Sequence, residues 1–565
     1  MSEKRNIIGI DLGTTNTVVA KGNKTSFGYI SETIEITQYN EGKNVVKSKQ
    51  LPSVLYKPKN EDVKYIGIWP KAQKIKQPHR TISNSKRFMG LETTWKIDDE
   101  VFTPKDIASE ILKVCKINAE KQFINKRIDG VTITVPASFT NDQIRDTREA
   151  AIKAGFFEDG IKIISEPTAA MISYINDLNI IDEDERPIDF SEPKNILVFD
   201  IGGGTCDVCV IEITKNDLDI IIKEKAVGRY EELGGVDFDR LAAEKILNIF
   251  LNENKIIRDD LSPEEYDIMS NKLLVFAEKA KEKFSIDIDL FDGLITDDES
   301  IYEYTFENFY KNTNQKFTLS KKQFDEATES LYHIPKNRTK DNTQVHKEKN
   351  IEDPIINTLK DYKFSTKDID YVYLTGGMSQ YKNIKERVKD ILDLEENKLI
   401  YAKNPMDVCA MGAAIYHYYS VTIEKSNNDK NRKGGKSTES SIVTDIKTII
   451  SESIMIDLVS GLPQIVIPKG TQVPCKGNIT GKFKTSSPSG IKINIYAGED
   501  NLDSQMRIQK SWRTTFNTPV QTGTDIDIQY SVDEFKELRF KIIVKDFLNQ
   551  EFELTTNEHI NIEQC

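Results

Sequence analysis

Long apolar runs are missing from this sequence. No stretch of its 565 residues reaches the ~18 apolar positions a membrane helix needs. The segment up to Leu12 lacks the apolar core of a secretion signal. Cysteine is scarce: six in the chain imply no disulfide framework. Cys206 and Cys209 form one C-x-x-C, giving two ligands where zinc takes about four. The five histidines are scattered. An excess of positive charge is also missing. Lys+Arg number 77 against 90 Asp+Glu, a net charge of −13. That argues against nucleic-acid binding as the main role, because phosphate contacts need a basic stripe. The composition, 38% hydrophobic and 30% charged, supplies about three or four units of ~100–200 residues. A cytoplasmic protein is expected, with neither nucleic acid nor membrane as a partner.

Lys425–Ser441 has no apolar residue and is rich in Gly, Ser and Asn, so it reads as a flexible spacer. Before it, strand-like runs (Ile7–Ile10, Val131–Val135, Ile196–Phe199, Val372–Thr375) alternate with helix-like ones (Thr103–Ala119, Asn141–Ala154, Phe238–Leu251, Asn383–Leu392), the pattern of an α/β architecture. After it come short alternating segments, Ile491–Tyr496, Asp525–Tyr530, Phe540–Val544 and Glu551–Thr555, the pattern of an all-β unit. The expected division is 1–424, a spacer at 425–448, and 449–565. The acidic run Asp182–Glu192 reads as a solvated loop.

One internal repeat carries chemistry. Ile7-Ile8-Gly9-Ile10-Asp11-Leu12-Gly13-Thr14-Thr15-Asn16 is echoed by Leu197-Val198-Phe199-Asp200-Ile201-Gly202-Gly203-Gly204-Thr205. Each is an apolar strand, an Asp, a Gly/Thr-rich turn and another strand, which predicts two hairpins. Such a tip lets backbone N–H groups approach a phosphate. The Asp before it can hold the waters of Mg²⁺, an ion that takes few protein ligands. Two facing tips would grip a nucleotide's phosphates; the plainer alternative is two unrelated glycine turns. No G-x-x-x-x-G-K-[ST] is present, which excludes a P-loop. Gly202–Gly204 precedes a strand, which excludes a dinucleotide fingerprint. Gly376-Gly377-Met378-Ser379 follows a strand and precedes a helix, predicting exposed N–H groups at a helix start. Leu233-Gly234-Gly235-Val236-Asp237-Phe238-Asp239 opens another helix.

Together these segments resemble a known family. Ile10–Asn16, Val198–Val208 and Leu374–Ser379 are similar to the three signatures of the seventy-kilodalton heat-shock chaperones, the DnaK-like family. Thr134–Ala137, Glu166–Ala170 and Leu233–Asp239 resemble its intervening text, in the same order. The resemblance runs from about Asn6 to the end of the chain. It implies an α/β actin-like two-lobed ATPase domain followed by an all-β sandwich that binds peptide. The function implied is an ATP-dependent chaperone in which ATP hydrolysis gates binding of unfolded or extended polypeptides. ATP and Mg²⁺, with K⁺ as a further cation, are the implied cofactors. A J-domain co-chaperone and a nucleotide exchange factor are the implied partners.

The resemblance also assigns residues. Lys86, Glu166, Asp11, Asp200 and Thr205 form the implied catalytic set, with Asp11 and Asp200 holding the metal through water. Gly13, Thr14, Thr15, Asn16, Gly202, Gly203, Gly204 and Asp207 would surround the phosphates. Gly235, Glu278, Lys281, Ser285, Gly377 and Ser379 would form the adenosine pocket. Ile456, Leu458, Val459, Ile491 and Ile493 would line a peptide slot; plain sandwich packing is the alternative for each. Lys162 and Ser165 lie near where the family meets J-domains, and Ser165 replaces the usual asparagine.

Several positions depart from the family. Its arginine that packs on adenine is Glu282 here; its acidic residues after Gly-Gly and Asn-Pro are Val236 and Met406. The tyrosine after Pro136-Ala137 is Ser138, and the relay arginine expected at Ile144 falls instead at Arg145. The linker patch Ile442–Ile446 keeps branched residues and Asp445 but is less apolar. The family's helical lid finds only Thr556–Cys565 to match it, at most ~15 Å of helix, so a lidless member is expected. An actin-like assembly protein would not need the C-terminal β unit. A sugar or acid kinase would need a catalytic acid for which no signature is visible.

Overall fold

The computed structural model describes the chain except for residues 1–4, 26–27, 179–186, 217–218, 229–231, 292–295, 333–348, 431–442, 458–462, 499–506, 534–535, 537, 547 and 556–565. Two sheets organise the first 424 residues, and their topologies repeat. In the first, Ile7–Leu12 lies between a parallel neighbour, Gly130–Val135, and an antiparallel one, Asn16–Thr25. Ile161–Ser165 and Gly28–Thr33 complete the order on either side. In the second, Lys194–Ile201 lies between parallel Tyr371–Thr375 and antiparallel Cys206–Asn216. Leu399–Tyr401 and Asp219–Val227 are the next strands out. The sequence echo is thus a structural one. Asp11 and Asp200 occupy matching ends of matching strands, opposite Thr134 and Thr375 on the parallel neighbours.

The helices follow their apolar spacing. Pro104–Glu120 starts at a capping box made by Thr103 and Asp106, carries Pro at its first turn, and buries Ile107, Ile111, Leu112 and Cys115 against the first sheet. The helix Val408–Lys430 runs between the sheets, packing on both Ile7–Leu12 and the helix Glu166–Leu178. It extends six residues into the stretch expected to begin the spacer at Lys425. The acidic run also differs from expectation. Among its described residues, Ile188 and Phe190 are buried in the core beneath the second sheet; residues 182–186 lie outside the described residues. Cys206 and Cys209 are both buried but join different cores. Residues three apart on a strand point to opposite faces, so they cannot share a metal or pair.

The linker patch is not a free tether. Val443–Ile449 pairs in parallel with Asp219–Val227 and extends the second sheet. Its far end pairs with Gln472–Val473. An open strand edge offers unpaired N–H and C=O groups, and an apolar segment of β-branched residues satisfies them. Beyond it, two four-stranded antiparallel sheets form a sandwich. Their orders are Gln464–Ile467, Ser453–Asp457, Gly490–Gly498, Arg507–Thr515, and Cys475–Lys484, Asp525–Val532, Leu538–Val544, Gln550–Thr555. Alternation decides which side chains face inward: Ile491, Ile493 and Ile495 meet Ile526, Ile528, Phe540 and Ile542 in one core. Ile456, Ile491 and Ile493, expected to line an open slot, are therefore buried inside this sandwich. Leu458 and Val459 lie outside the described residues.

Candidate functional site

The two hairpin tips meet. A Cβ on Gly203 would lie 2.0 Å from Thr15 Oγ1, and one on Gly204 would lie 2.5 Å from Thr14 Cγ2. Only glycine permits that approach. The Gly13 turn is tied to Ser53, whose Oγ donates to the Gly13 carbonyl at 2.8 Å. On the other side, the first N–H groups of the helix Gly235–Glu253 donate to the Gly202 and Gly203 carbonyls at 3.0 and 2.8 Å. Arg87 spans the junction: its Nε donates to the Gly204 carbonyl at 2.8 Å, and its guanidinium pairs with Asp237 at 2.9 Å.

Behind the tips lies a charged cluster. Lys86 Nζ donates to Glu166 Oε1 at 2.5 Å, and both side chains are buried. Thr134 donates to Asp11 at 3.1 Å, and Ser138 to Asp207 at 3.0 Å. Burial, then Glu166, pushes the Asp11 carboxyl up to about 7. Burial, with Glu166, Asp207 and Asp11, lifts Asp200 well above the carboxylate range. Burial works against the Lys86 ammonium, but Glu166 and Asp11 outweigh it and raise its pKa. Four carboxylates thus crowd around one lysine, an excess of negative charge that suits a cation. Among the described residues no three His, Cys, Asp or Glu side chains are set to ligate a metal directly. Carboxylates that reach a cation through its waters need no such geometry. The Thr14 and Thr15 hydroxyls are buried without a hydrogen-bond partner, as donors awaiting an acceptor would be. This arrangement can hold a polyphosphate with a hydrated divalent cation.

The outer cleft is bridged. Lys71, on the helix Ile68–Lys76, pairs with Glu278 at 2.7 Å. Lys281 Nζ donates to Asp239 at 2.8 Å and to the Gly235 carbonyl at 2.9 Å. Burial raises Asp239 to about 7 despite Lys281. Glu282, one turn on from Glu278, is raised by burial and by Glu278. The remaining expected residues are engaged locally: Ser285 Oγ donates to its own helix at the Lys281 carbonyl, and Ser379 Oγ to the Gly376 carbonyl. Gly377 faces Met406. It opens a short 3-10 turn, Gly377–Gln380, and the helix starts only at Lys382. Sequence reasoning missed Arg87, Lys71, Asp239 and Cys409, whose thiol is 3.8 Å from Asp200. Only Asp239 sat inside a motif already singled out, and Arg87 directly follows Lys86.

Two matched sheets whose Asp-tipped hairpins meet, joined through a strand to a β-sandwich, define a protein with a site suited to phosphates and a second module beside it. The family described as Hsp70 protein matches residues 7–101 and 92–536. The chain is 28% identical over 533 residues to the Chaperone protein DnaK of Thermosipho melanesiensis, covering 94% of this chain and 77% of that one. It is 28% identical over 535 residues to the Chaperone protein DnaK of Thermotoga maritima, again covering 94% and 77%. For that of Ureaplasma parvum the figures are 28% over 536 residues, 94% and 75%. The chain belongs to the Hsp70 family.

Proposed function

We propose that the cleft between the two hairpin tips binds and hydrolyses ATP, and that the reaction controls how the β-sandwich sits on the α/β unit. The chain is an ATPase and an ATP-dependent molecular chaperone. Its α/β unit is read as the actin-like two-lobed fold, on the strength of the repeated sheet topology. Neither an assembly protein nor a small-molecule kinase is favoured.

In this reading Gly13, Thr14, Thr15, Asn16, Gly202, Gly203, Gly204 and Thr205 surround the phosphates. Asp11 and Asp200 hold the waters of Mg²⁺, which neutralises phosphate charge when bound. K⁺ is a further cation of the site. Lys86 sets a fixed positive charge against the phosphoryl oxygens, where charge grows in the transition state. Glu166 orients the attacking water, and Asp207 holds a further acidic position. Gly235, Glu278, Lys281, Ser285, Gly377 and Ser379 form the adenosine pocket.

An extended apolar polypeptide would bind the sandwich, with Ile456, Leu458, Val459, Ile491 and Ile493 as the lining that the family resemblance implies. J-domain co-chaperones and an exchange factor are the partners, with Lys162 and Ser165 near the J-domain surface. Among the described residues no helix is long and apolar enough to cross a membrane.

The observation that carries the reading is the meeting of the two carboxylate-tipped hairpins over the Lys86–Glu166 pair. Binding of a fluorescent apolar peptide, measured in ATP and in ADP beside the hydrolysis rate, tests it. Peptide affinity should differ between the nucleotides. Equal affinity in both, or no hydrolysis, would reject it.

Glu282 gives a narrower test. A guanidinium stacks on a base face, whereas a carboxylate does not. Glu282→Arg is expected to tighten ATP binding by roughly 0.5–2 kcal/mol. Calorimetric titration of both proteins checks this, and unchanged or weaker affinity counts against the adenosine assignment.

A further inference from the structure

Both hairpin tips are held by their carbonyls. In the second tip the Gly202 and Gly203 carbonyls accept from the Gly235 and Val236 N–H groups at 3.0 and 2.8 Å. In the first tip one residue takes the place of that helix start. Ser53 donates its hydroxyl to the Gly13 carbonyl at 2.8 Å and its N–H to the Thr15 carbonyl at 2.8 Å. Across a planar trans peptide the C=O and the next N–H point in opposite directions. Drawing these two carbonyls toward Ser53 therefore turns the Thr14 and Asn16 N–H groups away from it. The helix start does the same for the Gly203 and Gly204 N–H groups.

Ser53 is itself fixed. The strand Gln50–Pro52 pairs with Asn16–Thr25 and brings Ser53 beside the tip. The Val54 N–H donates to the Pro52 carbonyl at 2.8 Å, which closes a three-residue turn around Ser53. Ser53 is 3% exposed, and the fully buried Thr17 places its Oγ1 3.0 Å from the Ser53 Oγ. A hydroxyl carries one hydrogen. Ser53 gives its own to Gly13, so Thr17 supplies the one between the two hydroxyls. That leaves the Ser53 hydroxyl a single orientation. Ser53 also lines the same small cavity as Gly13 and Lys86.

We infer that Ser53 is a positioning residue of the phosphate site, whose hydroxyl pre-orients the first tip so that the Thr14 N–H faces a phosphate before one arrives. The inference rests on the reading that this tip holds phosphates. Donors set in advance cost no reorganisation when the charged group enters. The two tips differ in how they achieve this. The second is gripped by two backbone N–H groups, the first by one backbone N–H and one side chain. Without the Ser53 hydroxyl the Gly13 carbonyl loses its donor, and the peptide plane can turn and carry the Thr14 N–H with it. The bond from the Ser53 N–H to Thr15 remains, so the hairpin and its sheet stay in place. The loss therefore falls on the phosphates and not on the base.

Calorimetric titration of the full chain with ATP and with adenosine tests this. Ser53→Ala is expected to weaken ATP binding by about 5- to 20-fold, the effect of one buried carbonyl left without its donor, and to leave adenosine within about 2-fold of the wild type. A side chain that only stabilised the fold would lower both ligands together or neither. Should Ser53→Ala fail to fold, Ser53→Cys replaces it, with a thiol that is a weaker donor. It is expected to lose about 2- to 5-fold for ATP and nothing for adenosine. Wild-type ATP affinity in the variant that folds, or equal losses for the two ligands, overturns the role of Ser53. A wild-type chain that binds ATP no more tightly than adenosine would instead reject the phosphate reading, and the inference with it.

Discussion

Lys86→Ala is expected to leave ATP bound and to slow its hydrolysis by roughly 10²–10³-fold. Lys86 is buried with its ammonium 2.5 Å from Glu166 and faces the carboxylates Asp11, Asp200 and Asp207. Those acids hold it charged, so it is a fixed cation and not a proton donor. A cation placed against charge that develops during the reaction acts mainly on the transition state, so its loss appears in rate more than in affinity. Two further effects are expected. The Glu166 carboxylate loses its partner and stays buried, which frees it to reorient and removes a fixed contact from the attacking water. The cluster also gains net negative charge, which should raise the demand for divalent cation. Single-turnover hydrolysis beside ATP titration decides the matter. Hydrolysis at the wild-type rate would assign the catalytic charge to another residue, with Arg87 the next candidate at the tips.

Gly412→Val should destabilise the α/β unit by about 3 kcal/mol and blunt catalysis together with stability. A Cβ at this position would lie 1.8 Å from the Ala169 carbonyl oxygen, a backbone atom of the helix Glu166–Leu178 that cannot rotate away. Ala169 is fully buried, so neither helix can shift into solvent without opening the core they share. The helix carrying Gly412 also presses on the first sheet at Gly9, where a Cβ would lie 2.1 Å from the Ala410 carbonyl. Moving it therefore disturbs both halves, and the displaced partner begins with Glu166 itself. Urea unfolding of the full chain, followed in the transition of the α/β unit, measures the loss. An unchanged midpoint would mean that the packing between the two sheets is looser than these distances require.

Much of this protein is local, and that part was legible in its residues. The two Asp-tipped hairpins are contiguous text, and a turn forces its flanking strands together, so the repeat could be read and the carboxylates placed at matching ends. The sandwich strands were visible because alternation with period two sorts one face inward. The start of Pro104–Glu120 was marked by a Thr-Pro and an Asp three residues after the cap.

Other features were decided only by the chain closing on itself. Lys86 and Glu166 are 80 residues apart and Lys71 and Glu278 are 207 apart; no periodicity links such pairs. A sparse apolar patch at the linker became a strand because the second sheet left an edge open beside it. Ile188 and Phe190 entered the core from within an acidic run, since two well-placed apolar side chains outweigh solvated neighbours that can still point outward. Glu224 and Lys536 look like surface charges in the sequence. Glu224 is buried with Ser165 and Thr168 beside the linker strand at Ile449, and Lys536 where its turn reaches the Ala137 carbonyl. Short-range pattern fixes which face of an element is apolar, whereas the identity of what covers that face depends on closure over hundreds of residues. The sequence by itself therefore determined the hairpins, the strands and their inward faces. The tertiary structure alone decided which charges share the cleft and which are buried outside it.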